Sequence, residues 1–432
     1  MNVQSSGPSA KIITAGPRID HVDGLRAIAV IAVVAYHASI PGFATGFTGV
    51  DIFFVISGFL IINQIVGELR QNRFSLATFY ARRTIRILPP LLVMLLGAYL
   101  IACFVLISPF EWENFGLSGS LSAVFLSNFY FYKKQGYFDT TAMDKPLLHT
   151  WSLSVEEQFY IITPLLLIGL FLLARRTRKP VSTYLAGAGG IFFIASLIGC
   201  ILLTIPVKNK AFYMTTWRGW EFIAGGAVAW LAAQPALQSR RWIAEAAGLA
   251  GIVLAVVAIN FGLSEINYPS YGAITPVAAA VLLILSGLLD PDCTAARLLS
   301  VRPMVLVGLI SYSWYLWHWP LISMAQIAQF STENHLRDAV MAGLSLIPAV
   351  LSYRYVELPC RRWRHARDLR ALGWMPVRRG LAASLAVFAL NGTTGGAVYA
   401  LTRYGPEIAG DPSLIDPPRI VCTGDSCKVP GH

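Results

Sequence analysis

The sequence predicts an all-α fold: a polytopic transmembrane bundle of about ten core helices and one additional helix toward the C-terminus. Three observations predict it. Hydrophobic residues make up 55% of the 432, and Asp, Glu, Lys and Arg only 13%, against about 25% in an ordinary soluble domain. Apolar stretches of about 20 residues, the length that crosses a bilayer, recur along the whole chain. Basic residues also gather in alternate connecting segments, as topology requires. Together with a mean hydropathy of +0.58, this excludes a disordered chain, a collagen-like chain and a soluble secreted scaffold. Lys and Arg outnumber Asp and Glu by 34 to 23. In so apolar a chain that surplus reads as an orientation signal, not as a nucleic-acid footprint.

Residues 1–18 lack a long apolar core and read as a disordered cytoplasmic tail, not a secretory signal. Spans are expected near 22–41, 50–67, 87–108, 154–174, 183–204, 218–234, 243–262, 272–289, 304–324, 338–357 and 380–401. With the N-terminus cytoplasmic, about 24 of the 34 Lys and Arg residues fall inside, as the positive-inside rule asks. The runs RRTRK at 175–179 and RRWRHARDLR at 361–370 dominate that asymmetry. Residues 363–379 read as a basic cytoplasmic loop, 380–401 as the eleventh helix and 402–432 as an extracytoplasmic tail or linker. The segment 109–153 is the longest expected outside loop, with an interfacial or re-entrant stretch at LSAVFLSNFYFY. Trp112, Tyr130, Tyr132, Tyr268 and Tyr271 are expected outward, either stacking on sugar rings or, the simpler reading, in the headgroup belt. Six cysteines are too few for a disulfide framework, but Cys422 and Cys427 in the outside tail are candidates for pairing.

Charge inside a span is costly, so it points to a cavity or a partner. Arg26 and His37 lie eleven residues apart, three turns plus about 20°, on one face of the first helix and roughly 16 Å apart along it. A fixed cation at one depth suits an anionic ligand; an imidazole at another suits a proton acceptor. Asp51 opens the second span, and Ser57 with Gly58 lies inside it, the glycine permitting close helix approach. Arg82, Arg83 and Arg86 precede Pro89 and Pro90 on the cytoplasmic side, where guanidinium forks grip phosphates. HTWSLSVEEQFY at 149–160 puts Glu156 and Glu157 at the outside mouth of the fourth span, with His149 nearby in sequence. There they either bind hydroxyls and steer a proton or cap the helix start. Arg218 and Glu221 are spaced for an ion pair on one face, as are Arg354 and Glu357. SYSWYLWHWP at 311–320 holds Tyr315 in an aromatic belt, which does not account for His318. No HExxH, GxSxG or metal-ligand spacing occurs, so no metal is expected.

These blocks, in this order, resemble the acyltransferase-3 family of integral membrane proteins, bacterial surface-glycan O-acetylases. DGLRAIAV followed by His37, GVDIFFVISGFL, FYARRTIRILPP, HTWSLSVEEQFY, RGWEF, ISYSWYLWHWP and SYRYVELPCR carry the resemblance, and residues 19–362 form the expected acyltransferase domain. Trp217, before Arg218, departs from the small polar residue expected there. The resemblance implies an O-acyltransferase of the bacterial inner membrane, taking acetyl from cytoplasmic acetyl-CoA to a glycan hydroxyl outside, lipopolysaccharide among the candidate acceptors. It maps a family arginine–histidine pair onto Arg26 and His37, an arginine block onto Arg82, Arg83 and Arg86 and a late glutamate onto Glu357. That puts Arg26, Arg82, Arg83, Arg86 and Glu357 on the donor. Beside it, the residues themselves suggest a catalytic group of His37 as proton acceptor with Glu156 or Glu157 and His318 orienting the acceptor. Asp51, Ser57, Trp151, Arg218, Glu221 and Tyr315 are structural or acceptor-side. Some relatives carry an extracytoplasmic SGNH domain after an additional helix; this sequence either lacks it or ends before it. The competing class is a transporter or flippase, whose buried Arg, Glu and His residues relay protons.

Overall fold

The computed structural model describes residues 18–134, 145–238, 240–262, 268–329, 334–366, 369–408, 421–423 and 426–428. Nearly all of the expected tail, 1–17, lies outside them. Helices α1 (Asp20–His37), α2 (Gly49–Arg70), α3 (Leu76–Val105), α4 (Pro109–Ala123), α5 (Ser127–Lys133), α6 (Thr150–Thr177), α7 (Val181–Tyr213), α8 (Thr215–Ala232) and α9 (Pro235–Gln238) form the first half. The second half holds α10 (Arg241–Phe261), α11 (Ile274–Leu289), α12 (Thr294–Leu299), α13 (Arg302–Ile327), α14 (His335–Leu344), α15 (Leu346–Ser352), α16 (Leu358–Ala366), α17 (Leu369–Leu372) and α18 (Met375–Ile408). Strands β1 (Val421–Thr423) and β2 (Ser426–Lys428) pair antiparallel with Cys422 opposite Cys427. The side chains of this ribbon, and with them any disulfide, lie outside the described residues.

Every expected span falls on a helix or helix pair, and seven helical segments are long and apolar enough to cross a membrane. Helices α1, α8, α13 and α18 are outside that set; the first three carry charged and polar side chains that the bundle encloses.

The differences from the sequence reading have local causes. The third span starts at Leu76, eleven residues early, because Ser75 caps the helix by accepting from the Thr78 N–H at 3.4 Å. The arginine block is therefore helical, and Pro89 and Pro90 sit inside α3, as neighbouring helices allow in membranes. Segment 109–153 is not a plain loop. Ser108 and Glu111 form a capping box with Pro109 in the first turn of α4. Ser122 then bonds Thr150, and Ser127 bonds Ser154. The tenth span is broken by a π-helical turn at Tyr353–Glu357, a feature frequent at functional sites. Trp112 and Tyr268 are buried instead of facing outward. The Trp112 indole N–H donates to the Leu106 carbonyl at 3.2 Å.

Lipid tails are as apolar as leucine, so helix association rests on close packing and on hydrogen bonds. Helix α2 crosses α8 where a Cβ on Gly58 would stand 1.9 Å from the Phe222 carbonyl oxygen. One on Gly225 would stand equally close to that of Val55. Only two glycines permit that approach, which presses α2 and α8 together beside the site. Helix α18 docks on α4, where the Ser120 hydroxyl donates to the Phe388 carbonyl at 2.9 Å. The four described cysteines, Cys103, Cys200, Cys293 and Cys360, are free thiols.

Candidate active site

Helices α1, α2, α3, α6 and α13 enclose a cavity of about 90 Å³, several times the volume one water needs. Arg26, Arg83 and Arg86 line it together with Ser57, Glu156, Tyr160, Ser152, Ser311, Tyr312 and Tyr315.

At the arginine end, Arg26 is held by Asp23 at 3.3 Å. Arg83 lies over the Phe79 and Tyr160 rings at 5.9 and 5.7 Å. Arg86 makes no hydrogen bond or ion pair with any described residue. Arg82 differs from its neighbours: it pairs with Glu68 at 2.9 Å and does not line the cavity. Glu357, buried in the π turn, accepts from Ser313 at 3.1 Å and from Arg361 at 3.5 Å. The expected Arg354–Glu357 pair does not form, because the wider π turn carries Arg354 out over the Tyr355 ring.

Along the cavity wall, Glu156 accepts from the Ser57 and Tyr160 hydroxyls. It lies in the second turn of α6, as does Glu157, so neither caps that helix. Glu157 is buried beside Glu156, outside the cavity lining, and its Oε1 has no hydrogen-bond partner. Ser152, Glu156 and Tyr160 are spaced i, i+4, i+8, one stripe of α6. That periodicity would have found Ser152 and Tyr160 in the sequence. The Ser311 hydroxyl in the same wall is buried without a partner.

At the far end Tyr315 closes the cavity, with Ser152 at 2.6 Å and its own hydroxyl donating to the His149 carbonyl at 3.0 Å. Beyond it stand three imidazoles. His37 Nδ1 and His318 Nε2 are 2.9 Å apart with ring planes within 15° of parallel, and His318 Nδ1 is 2.6 Å from the Tyr315 carbonyl oxygen. His149 Nε2 is 3.1 Å from the Leu316 carbonyl oxygen. Sequence reasoning passed over His149 as a member of this group. Its signal was the Pro320 of HWP, which lacks an N–H and so leaves the carbonyl four residues earlier, that of Leu316, without its helical donor.

A second buried cluster lies apart from the cavity lining. Arg218 pairs with Asp51 and, at 2.7 Å, with Glu221. The rings of Phe54, Trp151, Phe212 and Tyr268 surround its guanidinium at 5.6 to 6.0 Å. Trp151, Asp51 and Glu221 thus gather around Arg218, while Ser57 and Tyr315 line the cavity. Among the described residues no group of His, Cys, Asp and Glu has the arrangement of a metal site.

Comparison with known proteins agrees with this architecture. A family model described as an acyltransferase domain matches residues 19–354. The chain is 29% identical over 396 residues to the peptidoglycan O-acetyltransferase OatA of Listeria monocytogenes, covering 86% of this chain and 62% of that protein. It is 35% identical over 339 residues to a putative membrane-bound transacylase of Komagataeibacter xylinus, covering 78% and 81%. With the O-acetyltransferase OatA of Staphylococcus aureus it shares 29% over 377 residues, 83% of this chain and 59% of the relative. The chain therefore spans about six tenths of the length of the two OatA proteins. No solved structure matches it.

Proposed function

Because the chain belongs to the integral membrane acyltransferase family, we propose that it carries an acetyl group from acetyl-CoA to a hydroxyl of a cell-surface glycan. The observation that supports this reading is one cavity with three arginines at one end and a histidine cluster beyond the other.

Arg26, Arg83 and Arg86 suit an anionic donor, since guanidinium forks bind phosphate oxygens bidentately. The cavity is too narrow for a nucleotide, so these residues hold the phosphates at its mouth while the slender thioester arm reaches toward Tyr315. Arg82 and Glu357 act behind them: Arg82 anchors the start of α3 through Glu68, and Glu357 offsets the gathered positive charge. Ser57, Glu156 and Tyr160 orient the arm along the wall. His37 takes the proton from the acceptor hydroxyl as it attacks the thioester carbonyl, a contribution of about 10²–10⁴-fold in rate; the C–S bond then breaks, and the departing CoA thiolate takes that proton.

In this reading the arginine end faces the cytoplasm of a bacterial inner membrane. The N-terminus is then cytoplasmic, and residues 402–432 lie outside, where Cys422 and Cys427 pair. Peptidoglycan is the first acceptor to test, on the likeness to OatA. A separate SGNH-type domain is the partner to look for outside.

Purified protein in liposomes, given labelled acetyl-CoA on the arginine side and glycan on the other, tests the proposal. Label on the glycan and free CoA on the donor side are expected, with His37→Ala folded and nearly inactive. Intact labelled solute crossing without transfer would make the protein a transporter instead.

A further inference from the structure

The three imidazoles are not equivalent, and the backbone dictates how they differ. A carbonyl oxygen only accepts, so the 2.6 Å contact between His318 Nδ1 and the Tyr315 carbonyl puts a hydrogen on His318 Nδ1. A neutral imidazole carries one N–H, so His318 Nε2 is bare and accepts. Its partner at 2.9 Å, His37 Nδ1, must then donate. The proton of neutral His37 is thereby fixed on Nδ1, and its lone pair on Nε2. The same logic fixes His149: the Leu316 carbonyl, released by Pro320, takes its Nε2–H at 3.1 Å. That leaves His149 Nδ1 buried, bare and without a partner.

From this polarity we infer that His318 is a positioning residue that selects the reactive tautomer of His37, making Nε2 the atom that accepts the acceptor's proton. The inference rests on the reading of His37 as general base. It departs from an acceptor-side role for His318, which is fully buried with both ring nitrogens bonded within the protein. When His37 gains a proton at Nε2, its Nδ1–H still points at His318. The Nδ1 proton can move onto His318 Nε2, leaving a cation whose two N–H groups donate to His37 Nδ1 and the Tyr315 carbonyl. The positive charge is then shared along a chain that already has an acceptor at each step. No oxidant or reductant is needed. As the acceptor oxygen bonds to the acetyl carbon, the thioester C–S bond breaks. The proton on His318 Nε2 returns to His37 Nδ1, and His37 Nε2 gives its proton to the departing CoA thiolate.

Among the described residues, besides the Tyr315 ring at 5.4 Å from that of His318, three rings flank this pair. Trp319 packs on the His37 ring at 4.4 Å, Tyr36 lies 5.4 Å away, and the His149 ring stands edge-on to His318 at 5.7 Å. None of them offers His37 Nδ1 an alternative acceptor at hydrogen-bond distance, so loss of the His318 nitrogen removes the bias altogether.

The test is ¹⁵N NMR of histidine-labelled protein in nanodiscs, read beside single-turnover acetyl transfer. In the wild type His37 should show a protonated Nδ1 and a bare Nε2. His318→Phe should give a mixture of His37 tautomers and lower kcat about 100-fold with little change in the acetyl-CoA KM. His318→Gln keeps an acceptor oxygen toward His37 and an N–H toward Tyr315. It should hold the wild-type tautomer and stay within about tenfold of wild-type rate. A protonated Nε2 on wild-type His37, or an unchanged tautomer in His318→Phe, overturns the inference without touching the proposed reaction. A shifted tautomer with undiminished transfer also overturns it, since His318 would then orient the ring to no catalytic purpose. Normal transfer by His37→Ala would instead bring down the reading of His37 as the base. The wild-type spectrum alone decides the tautomer should the phenylalanine variant fail to fold.

Discussion

Two buried polar clusters lie within this bundle, and they are built on opposite plans. Around Arg218, two carboxylates and four aromatic rings enclose one guanidinium, and Asp51, Arg218 and Glu221 are each at most 1% exposed. None of the three lines the cavity. Around Arg26, Arg83 and Arg86 the arginines share a cavity wall with one carboxylate, that of Glu156, and Arg86 makes no hydrogen bond or ion pair with a described residue. A charge buried with its counter-ions joins helices: here α2 to α8. Beside the cavity Asp23 pairs with Arg26 and Glu357 lies buried behind, but Arg83 and Arg86 border an open volume that an anion can enter. The same residue type thus serves cohesion in one place and recognition in another, and whether the guanidinium is enclosed by its counter-ions or borders a cavity tells them apart.

The sharpest way to break the comparison is Arg218→Met, which strands Asp51 and Glu221 in a dry interior. It should cost about 3–5 kcal/mol of stability, seen as loss of monodisperse protein and a lower melting temperature in detergent. Adding Asp51→Leu and Glu221→Met should recover much of that stability, because a buried ion cluster replaced by apolar side chains of similar size is often neutral or better.

Second, Arg86→Gln should leave the melting temperature close to wild type and raise the acetyl-CoA KM about 10- to 100-fold, since a charge-assisted hydrogen bond contributes about 1.5–3 kcal/mol. An unchanged KM would return Arg86 to a topological role. Third, Gly58→Ala should destabilise by about 1–3 kcal/mol through overpacking, measured by thermal unfolding. It should also lower transfer, because α2 would be pushed from α8 on the side that carries Ser57. The smallest effect is expected of Ser313→Ala, which removes one hydrogen bond from buried Glu357. About 1 kcal/mol of stability and a change in donor affinity of less than tenfold are expected.

The Arg218 cluster was half visible in the sequence. The i, i+3 spacing of Arg218 and Glu221 gives their pair, and a charged residue at the start of a span marks Asp51. That the two meet depends on Gly58 and Gly225 bringing α2 and α8 into contact. The cavity was less visible. Hydropathy places the arginine block outside a span, because it measures depth in lipid and not the extent of a helix. The Ser75 cap carries α3 back through the block and turns two of its three arginines onto the cavity. Glu156 was visible as a charge, but not as a wall residue sharing its carboxylate with Ser57 from another helix.

By itself the sequence determined that this is a helical membrane protein, roughly where its helices lie, and which few polar side chains they carry. Those properties follow from local composition and from the cost of charge in lipid. Only the tertiary structure decided which of those side chains meet. His37 and His318 are 281 residues apart in the chain and 2.9 Å apart in space. Which nitrogen of each holds the proton depends on the carbonyl of Tyr315, as that of His149 depends on the carbonyl Pro320 leaves open at Leu316. Hydrogen-bond direction is a property of contacts, and contacts between distant segments are set by packing.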